Sequence, residues 1–234
     1  MSIFPAVIEE LKRENAFRPI AGDVLLIGRQ TVEGSTLTDT ELFQQFPEVV
    51  TVNALDVSAY EGADIVWDLN VELPDRYASI CDFIFDGSCL DNVFDPAMAI
   101  RSLSKMLRPG GRMMLVEHGT AIQGAVLCFS PEWFFDFFAA NGYEDCWIKL
   151  FAFPNGIYGG PWVPIPWEPY HRGEPVSATP GTLIGDFVSV VVAEKRKDST
   201  SDKIPIQAQY RAMHGDPEDE YKKAWQRFMN KGRR

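Results

Sequence analysis

The stretch CDFIFDGSCLDNVFDPAMAIRSLSKMLRPGGR, residues 81–112, decides the fold. Asp82-Phe83-Ile84-Phe85 is a short apolar run that stops at Asp86-Gly87-Ser88. Such a run, bounded by a turn, fits a strand buried on both faces. Pro96 opens a helical pattern over 96–107, with Met98, Ile100, Leu103 and Leu107 on or near one face. Pro109-Gly110-Gly111 halts it, because proline cannot continue a helix and glycine supplies the turn. Arg112 starts the next apolar run, 112–117. Strand, helix and strand in succession predict a parallel sheet with covered faces.

The same alternation extends in both directions. Phe4, Val7, Ile8 and Leu11 recur at helical spacing over 5–14, with Pro5 in the first turn. Val24-Leu25-Leu26-Ile27, between Gly22 and Gly28, reads as the first strand. Thr38 or Asp39 can cap a helix that runs to about Phe46. Residues 49–52 and 63–67 are the second and third strands, separated by only one turn's length of chain, and the third ends at Asp68-Leu69-Asn70. Ser130 caps a helix that begins Pro131-Glu132 and closes at Gly142. Runs at 146–151 and 185–194 are the last two strands. The expectation is an α/β, doubly wound, mostly parallel sheet occupying residues 1–194. A Pro/Trp-rich insertion spans 153–183, and 195–234 form a charged linker and a C-terminal helix. Ligands on such sheets bind beyond the carboxyl ends of the strands, where strand order reverses. The segments that matter are therefore 28–35, 54–58, 68–70, 86–92 and 117–120.

Composition narrows the partners. The 234 residues are 46% hydrophobic and 24% charged, ordinary for a globular protein with one core. A net charge of −11 argues against a nucleic-acid surface, which needs an excess of Lys and Arg. No apolar stretch is long enough to span a membrane. Glu9, Glu10 and Glu14 interrupt the N-terminal apolar residues, unlike a secretory signal, so a cytoplasmic location is expected. The four cysteines form no CxxC pair and the three histidines lie far apart, so no metal site is expected.

Residues 24–143 resemble the class I S-adenosylmethionine-dependent methyltransferases, in particular the small-molecule, type 11-like branch. The likeness is carried by Cys81 to Asp86, by Leu90-Asp91-Asn92-Val93-Phe94-Asp95-Pro96 and by Arg108-Pro109-Gly110-Gly111-Arg112. Ala63 to Leu69 and Ser130 to Tyr143 add to it. The resemblance implies a Rossmann-like seven-stranded sheet with a final antiparallel strand, and S-adenosyl-L-methionine as cofactor. It implies cofactor contacts at Gly28, Asp56, Asp68, Leu69, Asp86, Gly87 and Ser88. The sequence departs from the family at the first loop. Leu26 stands where an acid is usual, Gly28 matches the first of three glycines, and Gln30 and Val32 replace the other two. Arg29 and Gln30 could supply side-chain hydrogen bonds instead, since Arg suits a carboxylate. Asp56, in preference to Asn53, could accept from two ribose hydroxyls, or it could simply form a turn before Ser58.

Methyl transfer to oxygen can need a base. His118 follows the fifth strand, and Asp91 and Glu117 lie at strand ends nearby. His118 and Asp91 are the catalytic candidates; the alternatives are a packed loop histidine and a helix cap. Trp162, Trp167, Tyr170 and His171 lie in the aromatic insertion and are candidates to wall a substrate pocket. They and the tail helix could equally pack on their own domain or on a second copy, as a homodimer. The expected activity is methyl transfer to a small molecule, such as a sugar or another metabolite. The alternative is a relative that keeps the fold without catalysis and serves as a binding or assembly module.

Overall fold

The computed structural model describes residues 2–120, 124–158, 160–165, 167–169, 186–206 and 219–229. The elements in chain order are β1 (Ser2–Ile3), α1 (Pro5–Phe17), β2 (Ala21–Ile27), β3 (Thr31–Val32), α2 (Asp39–Gln44), β4 (Glu48–Asp56) and β5 (Ile65–Val66). They continue with β6 (Cys81–Asp86), α3 (Pro96–Met106), β7 (Leu107–His118), α4 (Pro131–Ala140), β8 (Glu144–Ala152), β9 (Val163–Ile165), β10 (Phe187–Glu194) and α5 (Asp219–Met229).

The main sheet has the order β5-β4-β2-β6-β7-β10-β8-β9. β5, β4, β2, β6 and β7 run parallel. β10 lies between β7 and β8 and is antiparallel to both. This is the doubly wound sheet with an antiparallel last strand that the resemblance implies. One strand is added: β9, from the Pro/Trp-rich insertion, pairs antiparallel with β8. A separate two-strand ladder joins β1 to β3 in the first loop, Ser2 to Thr31 and Ile3 to Val32. Strands of two or three residues carry no periodic signal, so the sequence did not announce either addition.

Several boundaries moved: α1 extends to Phe17, β2 starts at Ala21, and β4 runs to Asp56, which puts that candidate residue at a strand end; two further shifts have local reasons. The third strand contracts from 63–67 to two residues. There the carboxylate of Asp64 accepts the Ala54 N–H (2.8 Å), a side chain taking the place of a ladder partner. The fifth strand begins at Leu107, so the Arg-Pro-Gly-Gly turn lies within it. Gly111 must be glycine: a Cβ there would meet the carbonyl oxygens of Asp82 at 2.8 Å and Arg108 at 2.9 Å. Arg108 bridges the starts of three strands by donating to Asp23 (2.8 Å), Asp82 (2.6 Å) and the Ile80 carbonyl (2.9 Å).

Helices cover both faces. α1 and α2 bury Val7, Leu11, Leu42 and Phe43 on one side, against Val24, Leu26, Phe83 and Phe85. α3, α4 and α5 cover the other, against Leu25, Ile84, Met113 and Leu115. α2 starts at a capping box in which Thr38 accepts from the Glu41 N–H, and Glu41 reaches back to the Thr38 N–H. α5 docks on the same chain. Tyr221 and Phe228 are buried with ring centroids 6.2 and 5.8 Å from that of Phe135 in α4. Burying such a side chain contributes about 2 kcal/mol. Among the described residues no helix is long and apolar enough to cross a membrane.

Candidate functional site

Strand order reverses between β2 and β6: the chain winds from β2 outward through β4 to β5, then returns to β6 on the opposite side of β2. The register levels the strand ends, with Ile27 opposite both Leu55 and Asp86. A crevice therefore opens beyond these residues, walled by the loops that follow β2, β4 and β6.

Gly28 leaves β2 with φ +70°, and its N–H donates to the Leu55 carbonyl (2.8 Å). A Cβ on Gly28 would lie 3.9 Å from both Asp56 Oδ2 and Cys89 Sγ. The positive φ, more than lack of space, calls for glycine here. Asp56 Oδ1 accepts from the Ser58 N–H (3.1 Å), which orients the carboxylate. Sequence reasoning missed Cys89, whose place beside Gly28 depends on the pairing of β2 with β6.

The two residues after Gly28 are held by a buried acid. Asp39 Oδ2 accepts from the Gln30 N–H (2.8 Å), and its Oδ1 faces Arg29 Nη1 at 3.3 Å. Arg29 also donates to Thr40 Oγ1 (2.7 Å), the Gly62 carbonyl (3.2 Å) and Asp64 (3.3 Å). Arg29 thus ties the first loop to α2 and to the loop before β5. Asp39 appeared in sequence only as a rival cap. Because Thr38 and Glu41 form the capping box, Asp39 is left to pin the loop.

Asp68 lies at the end of β5, where its Oδ1 accepts from the N–H (2.9 Å) and side-chain amide (2.8 Å) of Asn70. Asn70 Oδ1 accepts from the Asp95 N–H (2.9 Å), joining this loop to the cap of α3. Leu69 is buried in the core beneath.

Beyond β6 the fully buried Asp86 accepts from the Cys89 N–H (2.7 Å) at Oδ1, while its Oδ2 has no hydrogen-bond partner and the Glu117 carboxyl lies nearby. Glu117 accepts from the N–H groups of Leu90 (3.3 Å) and Asp91 (3.1 Å). Asp91 accepts from Ser88 Oγ (2.5 Å) and from the Asn92 amide (2.7 Å). Burial pushes Asp86 up to about 7 and Asp91 up to about 6. Burial, followed by the charges of Asp86 and Asp91, raises Glu117 well above the usual carboxylate range. Ser88 itself has φ +76°, an uncommon conformation for a non-glycine residue and one often found at functional loops.

His118 ends β7 on the other face. It is buried, its Nδ1 has no hydrogen-bond partner, and burial lowers its pKa, with Asp186 opposing. A narrow cavity of about 20 Å³, room for one or two water molecules, lies between His118, Gln30, Ser88, Phe4 and Trp162. Trp162 stacks near Phe4 (5.3 Å) and Phe153 (5.6 Å). The structure thus brings Trp162 to His118 but sends Trp167 to the opposite face, 6.4 Å from Phe135. Asp91 does not line that cavity; it is linked to it through Ser88. Tyr170 and His171 lie outside the described residues. Among the described residues no group of three His, Cys, Asp or Glu could hold a metal ion.

No family model matches this chain. It is similar to the ubiquinone/menaquinone biosynthesis C-methyltransferase UbiE of Bdellovibrio bacteriovorus, with 26% identity over 102 residues, 42% of this chain. The chain spans only 40% of that curated relative's length. Among solved structures, a SAM-dependent methyltransferase from Archaeoglobus fulgidus superposes with a TM-score of 0.50 at 11% identity, covering 81% of this chain and 93% of that one. A SAM-dependent methyltransferase from Methanosarcina mazei gives 0.48 at 13%, covering 84% and 99%. The Archaeoglobus likeness shows that the chain has the fold of these methyltransferases.

Proposed function

We propose that this chain uses S-adenosyl-L-methionine to methylate a small-molecule acceptor. The observation that carries this reading is the oriented Asp56 carboxylate beside the positive-φ backbone of Gly28, at the point where strand order reverses. The residues present fit a nucleoside-bearing cofactor. Gly28 lets the ligand approach the main chain, and Asp56 can accept from two ribose hydroxyls. Asp68 flanks the adenine side and Gly87 and Ser88 form the facing wall, with Leu69 and Asp86 buried beneath them. Arg29 and Gln30 shape the first loop, Arg29 by pinning it to α2.

When bound, the cofactor supplies a methyl group on a sulfonium with a built-in leaving group. The protein's task is then chiefly to position the reactants and to exclude water. His118 is kept neutral by burial, and its unpartnered Nδ1 can take the proton of an acceptor hydroxyl. Trp162 and Phe4 wall the acceptor side with apolar rings. Asp91 holds Ser88 in place and acts on that loop. We assign the chain to the cytoplasm, a reading supported by its four free cysteines.

Thermal shift with S-adenosylmethionine and S-adenosylhomocysteine, with NAD as control, tests the reading. A rise in melting temperature with the sulfur ligands alone is expected, because binding to the native state stabilises it by mass action. No shift at millimolar ligand would favour the alternative, a non-catalytic binding or assembly module. One observation supports that alternative: the Gln30 side chain lies across the crevice against Gly87.

A further inference from the structure

Gly87 has no need of glycine for its backbone, since it is absent from the positive-φ residues. It needs glycine for space: a Cβ there would collide with the terminal amide of Gln30. The two residues belong to facing loops, Gln30 to the one after β2 and Gly87 to the one after β6. The Gln30 main chain is fixed by Asp39. Its Oε1, by contrast, is buried without a hydrogen-bond partner. An unpaired buried acceptor is a standing cost, and the native state keeps few of them. The anchored end of Gln30 is therefore fixed, while its Oε1 has no protein hydrogen-bond partner and can gain one when the amide swings out.

We infer that Gln30 is a latch across the crevice, closing it by lying on Gly87 and swinging away when a nucleoside-bearing ligand seats. The inference rests on the reading of this crevice as a cofactor site. A latch opposes binding through its volume, so an isosteric side chain without the amide should keep the effect and a small one should abolish it. This separates it from the role of a hydrogen-bonding group, which any loss of the amide would weaken.

The test is titration calorimetry of S-adenosylhomocysteine, which binds without reacting, against the full chain and its Gln30→Ala and Gln30→Met variants. Gln30→Ala is expected to bind at least threefold more tightly than the native chain, and Gln30→Met to bind within about twofold of it. Weaker binding by both variants would overturn the latch and make Gln30 a ligand-holding group. Equal affinity in all three would overturn the latch while leaving the cofactor reading standing. Absence of binding by all three, with melting temperatures showing each folded, would overturn the cofactor reading and the latch with it.

Discussion

The carboxyl groups of Asp86 and Glu117 lie close together beneath the turn Leu90–Asn92, at the ends of two adjacent parallel strands. Both are fully buried, and between them they accept the N–H groups of Cys89, Leu90 and Asp91. The pair is thus the floor on which the loop after β6 stands.

That floor predicts a pH dependence. Asp86 is raised to about 7 and Glu117 is raised well above its ordinary value, so the folded chain holds protons that the unfolded chain releases. Their contribution to stability is complete below about pH 4; that of Asp86 is lost as pH rises through 7, and that of Glu117 as pH rises through its own raised value. Glu117→Gln does not titrate; it keeps one of the two acceptor oxygens and gives up one backbone hydrogen bond at every pH. It should gain on the native chain by ~1–3 kcal/mol between pH 5 and pH 8. Melting temperatures across that range check this, and parallel curves for the two proteins would refute it.

Arg112 is the buried link between β7 and the end of α1. It donates to Glu14 and to the carbonyls of Arg18 (2.8 Å) and Pro19 (2.6 Å). Arg112→Met takes the cation from beside a buried carboxylate and should cost about 3–5 kcal/mol. The double variant Glu14→Leu/Arg112→Met should recover most of that. Urea unfolding of both decides it; a double variant no more stable than the single would count against an ion-pair origin.

Gly111→Ala should lose about 2 kcal/mol or more, because the methyl meets two carbonyl oxygens of the main chain, which cannot turn aside as a side chain can. Gly110→Ala meets no such neighbour and is strained only by its φ of +85°. It should cost about 1 kcal/mol. Chemical denaturation of the pair reads the difference.

Phe135 is ringed by Trp167, Tyr221, Trp225 and Phe228. Phe135→Ala should destabilise by about 3–5 kcal/mol. It should also free α5 to limited proteolysis before the rest of the chain is cut. Simultaneous loss of both regions would show that α5 does not come away independently.

Legibility in the sequence followed the range of the forces involved. Residues 81–112 were readable because local patterning, a proline, and two glycines with different duties all act within one crossover. The capping box at Thr38 and Glu41 was equally local, yet it was read as an ambiguity between Thr38 and Asp39. The role of Asp39 emerges only once Arg29 and Gln30 are folded back onto it. The ladder between β1 and β3, the approach of Cys89 to Gly28 and the seating of Gln30 on Gly87 depend on contacts distant in sequence. Trp162 and Trp167 looked alike as neighbours in one aromatic stretch, but the sheet edge at β9 divides them between its two faces.

The position of β10 bears on the order in which the protein can be assembled during synthesis. Its eight residues, Phe187–Glu194, wedge between two strands made earlier. A growing chain can complete the five parallel strands through β7, but β8 and β9 have no seat on that platform until residue 194 has left the ribosome. For that interval the apolar flank of β7, with Met114 and Val116, stays open to other nascent chains or to chaperones.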